Sequence, residues 1–448
     1  MATTLYPTQV STRATSRAAP HGVLQLFVAL FACTGLAAYN IGPVPLPWLA
    51  GAGFIALAGA LVLFTNRVRL VPGGGALFLF LAWTLFVQTL NAGRFGALTP
   101  KGATLSYSSF VLARYLNILA FAAALYLAYW LLTEGRGADL MRWIVRIGVV
   151  ISLVAIYIYI AQQYGLPEPP RTRAGTAGAA QVLYFGYRRA LGTFREPSHL
   201  AEWLLLPLFL SFALRGSGAR LSGVIIGAAL LLTVSFGGIA SCVGGVLGGL
   251  LFSNPFKPSN FKLLVVIALG LGLLLFAAQM TSVGITGQSV YSVLNVRTLE
   301  ILEGGVGHSN RAYIADFVKS FPPPVLGYGL GNANIYVASK LGIELIVSFL
   351  SLYVNIAYSS GMIGLLLLSV FLVQPIVRNA IVSSDRKKPR AVPILMGYVA
   401  YLFVFAAGPE ELSVAFAVIA AFLLYDGSLE ERETAPHGVS LVNLPRSD

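Results

Sequence analysis

Apolar residues in this chain come in long blocks separated by shorter polar stretches, and the blocks recur from residue 23 almost to the C-terminus. A helix needs about 20 apolar residues to cross a bilayer, where its backbone must satisfy its own hydrogen bonds. Blocks of that kind occupy 23–39, 46–64, 76–90, 110–132, 143–161, 199–214, 221–235, 238–252 and 263–282, then 362–377, 392–407 and 412–425. They predict an all-α polytopic membrane protein of about twelve transmembrane helices, with a transmembrane domain over 21–426 between tails at 1–20 and 427–448. Residues 36–38 resemble a leader cleavage site, but the basic tail before the first block and the many blocks after it favour a retained helix. The glycine-rich blocks between 221 and 252 should pack closely through small residues.

Basic residues set the threading. Arg13, Arg17, Arg67, Arg69, Arg215, Arg220, Lys257 and Lys262 fall on one side, which the positive-inside rule makes cytoplasmic. The two longest polar stretches, 162–198 and 283–360, land on the other side. The apolar piece 341–358 could also cross. That would turn Arg378, Arg386, Lys387, Lys388 and Arg390 outward, so it reads as a surface or re-entrant helix, and both tails are cytoplasmic. Composition agrees, with 57% hydrophobic and only 10% charged residues. The net charge of +13 points to anionic partners, with part of it orienting the chain in its membrane. Cys33 and Cys242 both lie in apolar blocks, so no disulfide framework is expected.

Candidate chemistry centres on 191–205, where Arg195, Glu196, His199 and Glu202 stand at the mouth of an apolar helix. Charge at a bilayer edge is costly unless it serves a function. Pro197 suits a first helical turn, and Glu202 would complement the positive helix end. The outer stretches are rich in arginine: Arg171, Arg173, Arg188, Arg189 and Arg195 in the first, Arg297 and Arg311 in the second. A guanidinium holds phosphate oxygens in bidentate fashion, so arginines gathered beside a membrane suit a lipid diphosphate. Pairing with Glu168, Glu196, Glu300, Glu303 and Asp316 is the alternative for each. The glycine loop 327–332 follows no strand and lacks a Walker lysine, so it reads as a turn after Pro322, Pro323 and Pro324. No Asp-x-Asp pair and no His or Cys cluster has metal spacing, so no metal or cofactor is expected. Ser198 and His199, adjacent on a helix, do not face one another as nucleophile and base.

The run Gly192-Thr193-Phe194-Arg195-Glu196-Pro197-Ser198-His199-Leu200-Ala201 resembles the G-x-F-x-E-P-S-x-x-A signature of Wzy-type bacterial surface polysaccharide polymerases, relatives of the O-antigen ligases. Asn310-Arg311 with Asp316, the loop containing Gly329, Gly331 and Asn332, and Gly361 to Leu365 resemble further family elements in the same order. The ligases carry a histidine before that last helix, whereas Ser348 to Asn355 here contains none, which favours the polymerase. The resemblance implies a metal-independent glycosyltransferase in the bacterial inner membrane with its active site facing the periplasm. Its substrate would be a polyprenyl (undecaprenyl) diphosphate-linked oligosaccharide in the membrane lipid, its further partner a chain-length regulator, with no role for nucleic acid. Arg195, Arg311, Arg188, Arg189 and Arg297 would hold the diphosphate; Glu196, or less favourably His308, would take the acceptor proton. The alternatives are an O-antigen ligase acting on lipid A core and a lipid-linked oligosaccharide transporter, the latter with Arg114 as its main intramembrane charge and few carboxylates to relay protons.

Overall fold

The computed structural model describes residues 18–65, 69–102, 105–173, 183–184, 187–252, 265, 312–383, 391–406 and 408–425. The apolar blocks in these residues are helical, and the chain is a membrane-embedded helical protein. The helices are α1 (Ala18–Thr34), α2 (Leu46–Thr65), α3 (Gly74–Leu90), α4 (Tyr107–Thr133), α5 (Gly137–Tyr164), α6 (Pro197–Ala213), α7 (Ser217–Leu232) and α8 (Phe236–Phe252). After them come α9 (Ala312–Ser320), α10 (Asn332–Leu341), α11 (Leu352–Ser359), α12 (Gly361–Ser383), α13 (Ala391–Val404) and α14 (Val414–Leu424). Four are long and apolar enough to cross a membrane: α2, α4, α5 and the part of α12 over Gly361–Asn379. Two short antiparallel hairpins, Asn40–Ile41 with Val44–Pro45 and Leu183–Tyr184 with Tyr187–Arg188, are the strands among the described residues.

Helix α6 is the hub. It is apolar on every side and buried from Leu200 to Leu210, as expected of a helix surrounded by others. Pro207 in its middle removes one backbone donor and crowds the preceding turn. Its neighbours omit side chains where they meet it: a Cβ on Gly148 of α5 would lie 2.4 Å from Pro207 Cβ, and one on Gly397 of α13 would lie 2.8 Å from Phe209 Cβ. Tyr401 of α13 donates from its hydroxyl to the Glu202 carbonyl at 2.9 Å, stitching α13 to α6.

Two expectations are corrected here. The small residues of α8 do not pack chiefly on α7. They meet α13, where a Cβ on Gly245 would stand 2.5 Å from both Ala400 Cβ and Met396 O, and one on Gly249 would stand 2.5 Å from Met396 Cγ. Helix α7 lies instead against α5 and α6. The second correction concerns Glu202, which is buried inside the bundle rather than stationed at the positive end of α6.

Between Leu341, the last residue of α10, and residue 358 the piece is non-helical except for seven of the eight residues of α11. At about 1.5 Å per residue that is far short of the roughly 30 Å hydrocarbon thickness. It is held at one end of the bundle: Leu352 N–H donates to Phe405 O at 2.9 Å, and Tyr328 and Gly329 N–H donate to Tyr358 and Ser359 carbonyls at 2.9 and 2.7 Å. At the opposite end, Arg69 pairs with Glu134, joining the α2–α3 connection to the α4–α5 turn.

Candidate functional site

Between the second hairpin and α6 the chain forms a strap that is buried almost throughout. Ala190, Leu191, Gly192, Thr193, Phe194 and Pro197 are all buried, whereas Arg195 and Glu196 are exposed. Four of these buried positions have a specific physical reason. Gly192 has φ +52°, and a Cβ there would stand 2.6 Å from Ala155 Cβ on α5, so a side chain is excluded twice over. Thr193 donates from Oγ1 to Gly35 O at 2.5 Å and accepts at its carbonyl from Ala38 N at 2.8 Å, which ties the strap to the end of α1. Phe194 packs with Trp203, their ring centroids 6.0 Å apart, and Trp203 donates to Thr34 Oγ1 at 3.0 Å. Pro197 opens α6 where an N–H would find no partner within the helix. A clamped strap thus presents one cation and one carboxylate.

The electrostatic surroundings draw in residues from elsewhere. His199 is exposed and lies on the face of α6 continuing from Arg195 and Glu196. It experiences the charges of Glu196, Arg195, Arg173 and Glu411. Arg173 donates to Ala37 O at 3.1 Å, and its backbone N–H donates to Ala38 O at 3.1 Å. Burial, and secondarily the like charge of Arg195, pushes its pKa down to about 10. Two guanidiniums that act on one another electrostatically, with an exposed carboxylate and an imidazole in the same field, can grip a dianion and move a proton.

Sequence reading missed Glu410 and Glu411, which complete the site from the α13–α14 loop. Arg114 of α4 pairs with Glu411 through NH1 and approaches Glu410 at 3.6 Å, and Asn117 donates to Glu411. Asn334 of α10 donates to Glu410 Oε2 and to Val347 O, both at 2.8 Å. Asn355 of α11 donates to the Glu410 carbonyl at 2.9 Å, and Ser359 donates to Asn355 Oδ1 at 2.8 Å. The available signal was an acidic pair in a short turn between two apolar blocks, which is the same signal that singled out Arg195 and Glu196. These acids stand beside Arg114, where sequence reading expected few carboxylates. Glu202, buried within α6, keeps Oε1 without a hydrogen-bond partner among the described residues.

The other candidates divide three ways. His308, Asn310, Arg311 and Arg297, with Glu300 and Glu303, lie outside the described residues, as does the Arg188 side chain. Arg189 is half-buried and donates from Nε to Thr233 O at 3.0 Å, which fastens the strap to the end of α7. Arg171 approaches Glu168 at 3.6 Å, and exposed Asp316 approaches Lys319 at 4.0 Å. Gly329, Gly331 and Asn332 build the turn into α10. The Gly329 N–H is engaged by Ser359 O, and Asn332 accepts from Tyr107 Oη at 2.9 Å while donating to Tyr328 O at 2.8 Å. Ser198 donates to Glu196 Oε2 at 3.3 Å, and Glu196, although the N-cap of α6, uses no side-chain oxygen to cap it. Among the described residues no group of three His, Cys, Asp or Glu could hold a metal ion.

No protein-family model matches this chain, and no curated protein matches it in sequence. Fold and site together define a membrane-embedded helical protein with a charged cluster at one end of its bundle.

The depressed Arg173 pKa has a measurable consequence. A base whose pKa falls to about 10 on folding lowers stability fully below pH 10, where folded and unfolded chains both carry the proton. The loss fades as pH rises above about 10 and the folded form releases it. An anion bound between Arg173 and Arg195 relieves the same cost. Inorganic diphosphate is expected to raise the melting temperature at neutral pH, and to do so much less in Arg173→Gln, as read by thermal unfolding in detergent. An equal rise in both proteins would sever Arg173 from anion binding.

Proposed function

We propose that this protein is a polysaccharide polymerase of the bacterial inner membrane, crossing it about twelve times and acting on the periplasmic face. It joins repeat units carried on polyprenyl diphosphate. One observation supports the reading above all others: a strap buried on either side exposes Arg195 and Glu196. Rigid clamping of the backbone around two exposed charges costs folding freedom that a surface loop would keep.

In the proposed reaction an acceptor sugar hydroxyl attacks the anomeric carbon of the donor glycan. The new glycosidic C–O bond forms as the anomeric carbon–oxygen bond to the diphosphate breaks, and the electron pair leaves on the diphosphate oxygen. Arg195 and Arg173 stabilise that growing charge, with Arg311 and Arg188 as further candidates on the outer stretches. Glu196 accepts the hydroxyl proton. The products are a longer glycan on the acceptor's lipid and free polyprenyl diphosphate. Grooves between the helices hold the isoprenoid tail.

The test is a glycan ladder from cells carrying Glu196→Gln. Loss of the base leaves single repeats on the surface, because export and ligation continue. Long polymer retained on the lipid carrier would instead make this a ligase, and absence of any exported repeat would make it a transporter. Normal chain length with Glu196→Gln across the pH range removes the base assignment.

A further inference from the structure

A cleft of about 230 Å³ opens beside the charged cluster, lined by Leu105, Phe110, Arg114, Ile346, Val347 and Glu410, with Ser348 at its edge. It lies between the start of α4 and the non-helical run before α11. Its chemistry is mixed in an informative way. One wall is aliphatic, from Leu105, Ile346 and Val347. The other carries the Glu410 carboxylate and the Arg114 guanidinium, and this guanidinium rests over the Phe110 ring with Cζ 4.9 Å from the centroid.

Charge narrows the occupant. An anion would meet Glu410, a cation would meet Arg114, and a hydrocarbon tail would bury both charged groups against grease. A neutral ring with hydroxyls on its rim and C–H groups on its face suits both walls. Arg114 keeps Nε without a partner among the described residues, and Asn334, fully buried behind the cleft, keeps Oδ1 unpartnered while its amide holds Glu410 and Val347 O. The volume is below the roughly 300 Å³ at which sites for drug-sized ligands begin, which suits a single sugar ring.

Position supplies the rest. Glu410 lines this cleft, and the next residue, Glu411, acts electrostatically on His199 at the head of α6. The acidic pair therefore lines the cleft through Glu410 and acts through the charge of Glu411 on the helix that the strap opens. We infer that the cleft between Leu105 and Ile346 binds the acceptor sugar, whose hydroxyl rim is held by Arg114 and Glu410 next to the diphosphate-binding arginines. This inference rests on the polymerase reading above and names its acceptor subsite.

The experiment uses the full chain in nanodiscs and two probes. The first is the lipid-free repeat oligosaccharide, released by mild acid from the lipid carrier that accumulates in cells lacking the protein. The second is inorganic diphosphate. Leu105→Trp and Ile346→Trp fill the cleft from two separate segments, one just before α4 and one before α11, so one remains informative if the other fails to fold. Oligosaccharide binding, followed by saturation-transfer NMR, is expected to weaken about tenfold or more in either variant, a loss of about 1.4 kcal/mol. Diphosphate binding should stay unchanged. Unaltered oligosaccharide affinity in a folded variant overturns the subsite, as does wild-type protein that binds diphosphate but no oligosaccharide. Wild-type protein that binds neither probe takes the polymerase reading down as well.

Discussion

Arg195→Ala is expected to abolish long polymer while leaving the fold intact. Removing one preorganised charge donor from a developing oxyanion costs about 100- to 1,000-fold in rate. A polymerase slowed that far delivers single repeats to the surface. The side chain is exposed and makes no ion pair among the described residues, so its loss should shift stability by no more than about 0.5 kcal/mol. Arg195→Lys separates charge from geometry. A point charge cannot reproduce two parallel N–H···O contacts to one phosphate, so polymer yield and length should fall well below wild type. Full length and yield from Arg195→Lys at normal expression would rule out the bidentate clamp.

Arg114→Met should be the most destabilising single substitution at the site. It removes the cation between Glu410 and Glu411 and leaves two adjacent carboxylates in a poorly hydrated setting, where breaking one side of an ion pair costs about 3–5 kcal/mol. The cost should be recovered in large part by adding Glu411→Gln, because the pair is expensive mainly when half of it remains. A double-mutant cycle on thermal unfolding measures this. A loss below about 1 kcal/mol in Arg114→Met would show that the α13–α14 loop is held chiefly by Asn117, Asn334 and Asn355. The distinction bears on the proposed function, since this loop carries Glu411, whose charge acts on His199, and Glu410, which lines the cleft.

The two arginines therefore have separable signatures. Arg195 is exposed and should affect catalysis with little effect on folding; Arg114 is largely buried and should affect folding first. The same exposure argument separates Glu196, free of any capping duty, from Glu410, whose oxygen and carbonyl are both engaged by asparagines from α10 and α11.

Much of this molecule was legible in its sequence, for a local reason. A bilayer permits few backbone solutions, so long apolar blocks become helices whatever surrounds them. The same economy made Arg195 and Glu196 conspicuous, since charge beside an apolar block is rare. The piece 341–358 was set apart from the long apolar blocks by the arginines and lysines after it, and its helix is only eight residues long. Tertiary structure alone decided which helices meet. The glycines of α8 advertised close packing, but nothing local says that the partner is α13 rather than α7; that depends on where Ala400 and Met396 place a fitting groove. Likewise Arg114 and its acids are separated by almost three hundred residues, and neither end of the chain carries a mark of the other. Hydrophobicity and hydrogen bonding act along the chain and can be read there; packing and charge pairing act through space, and only the folded bundle brings their partners together.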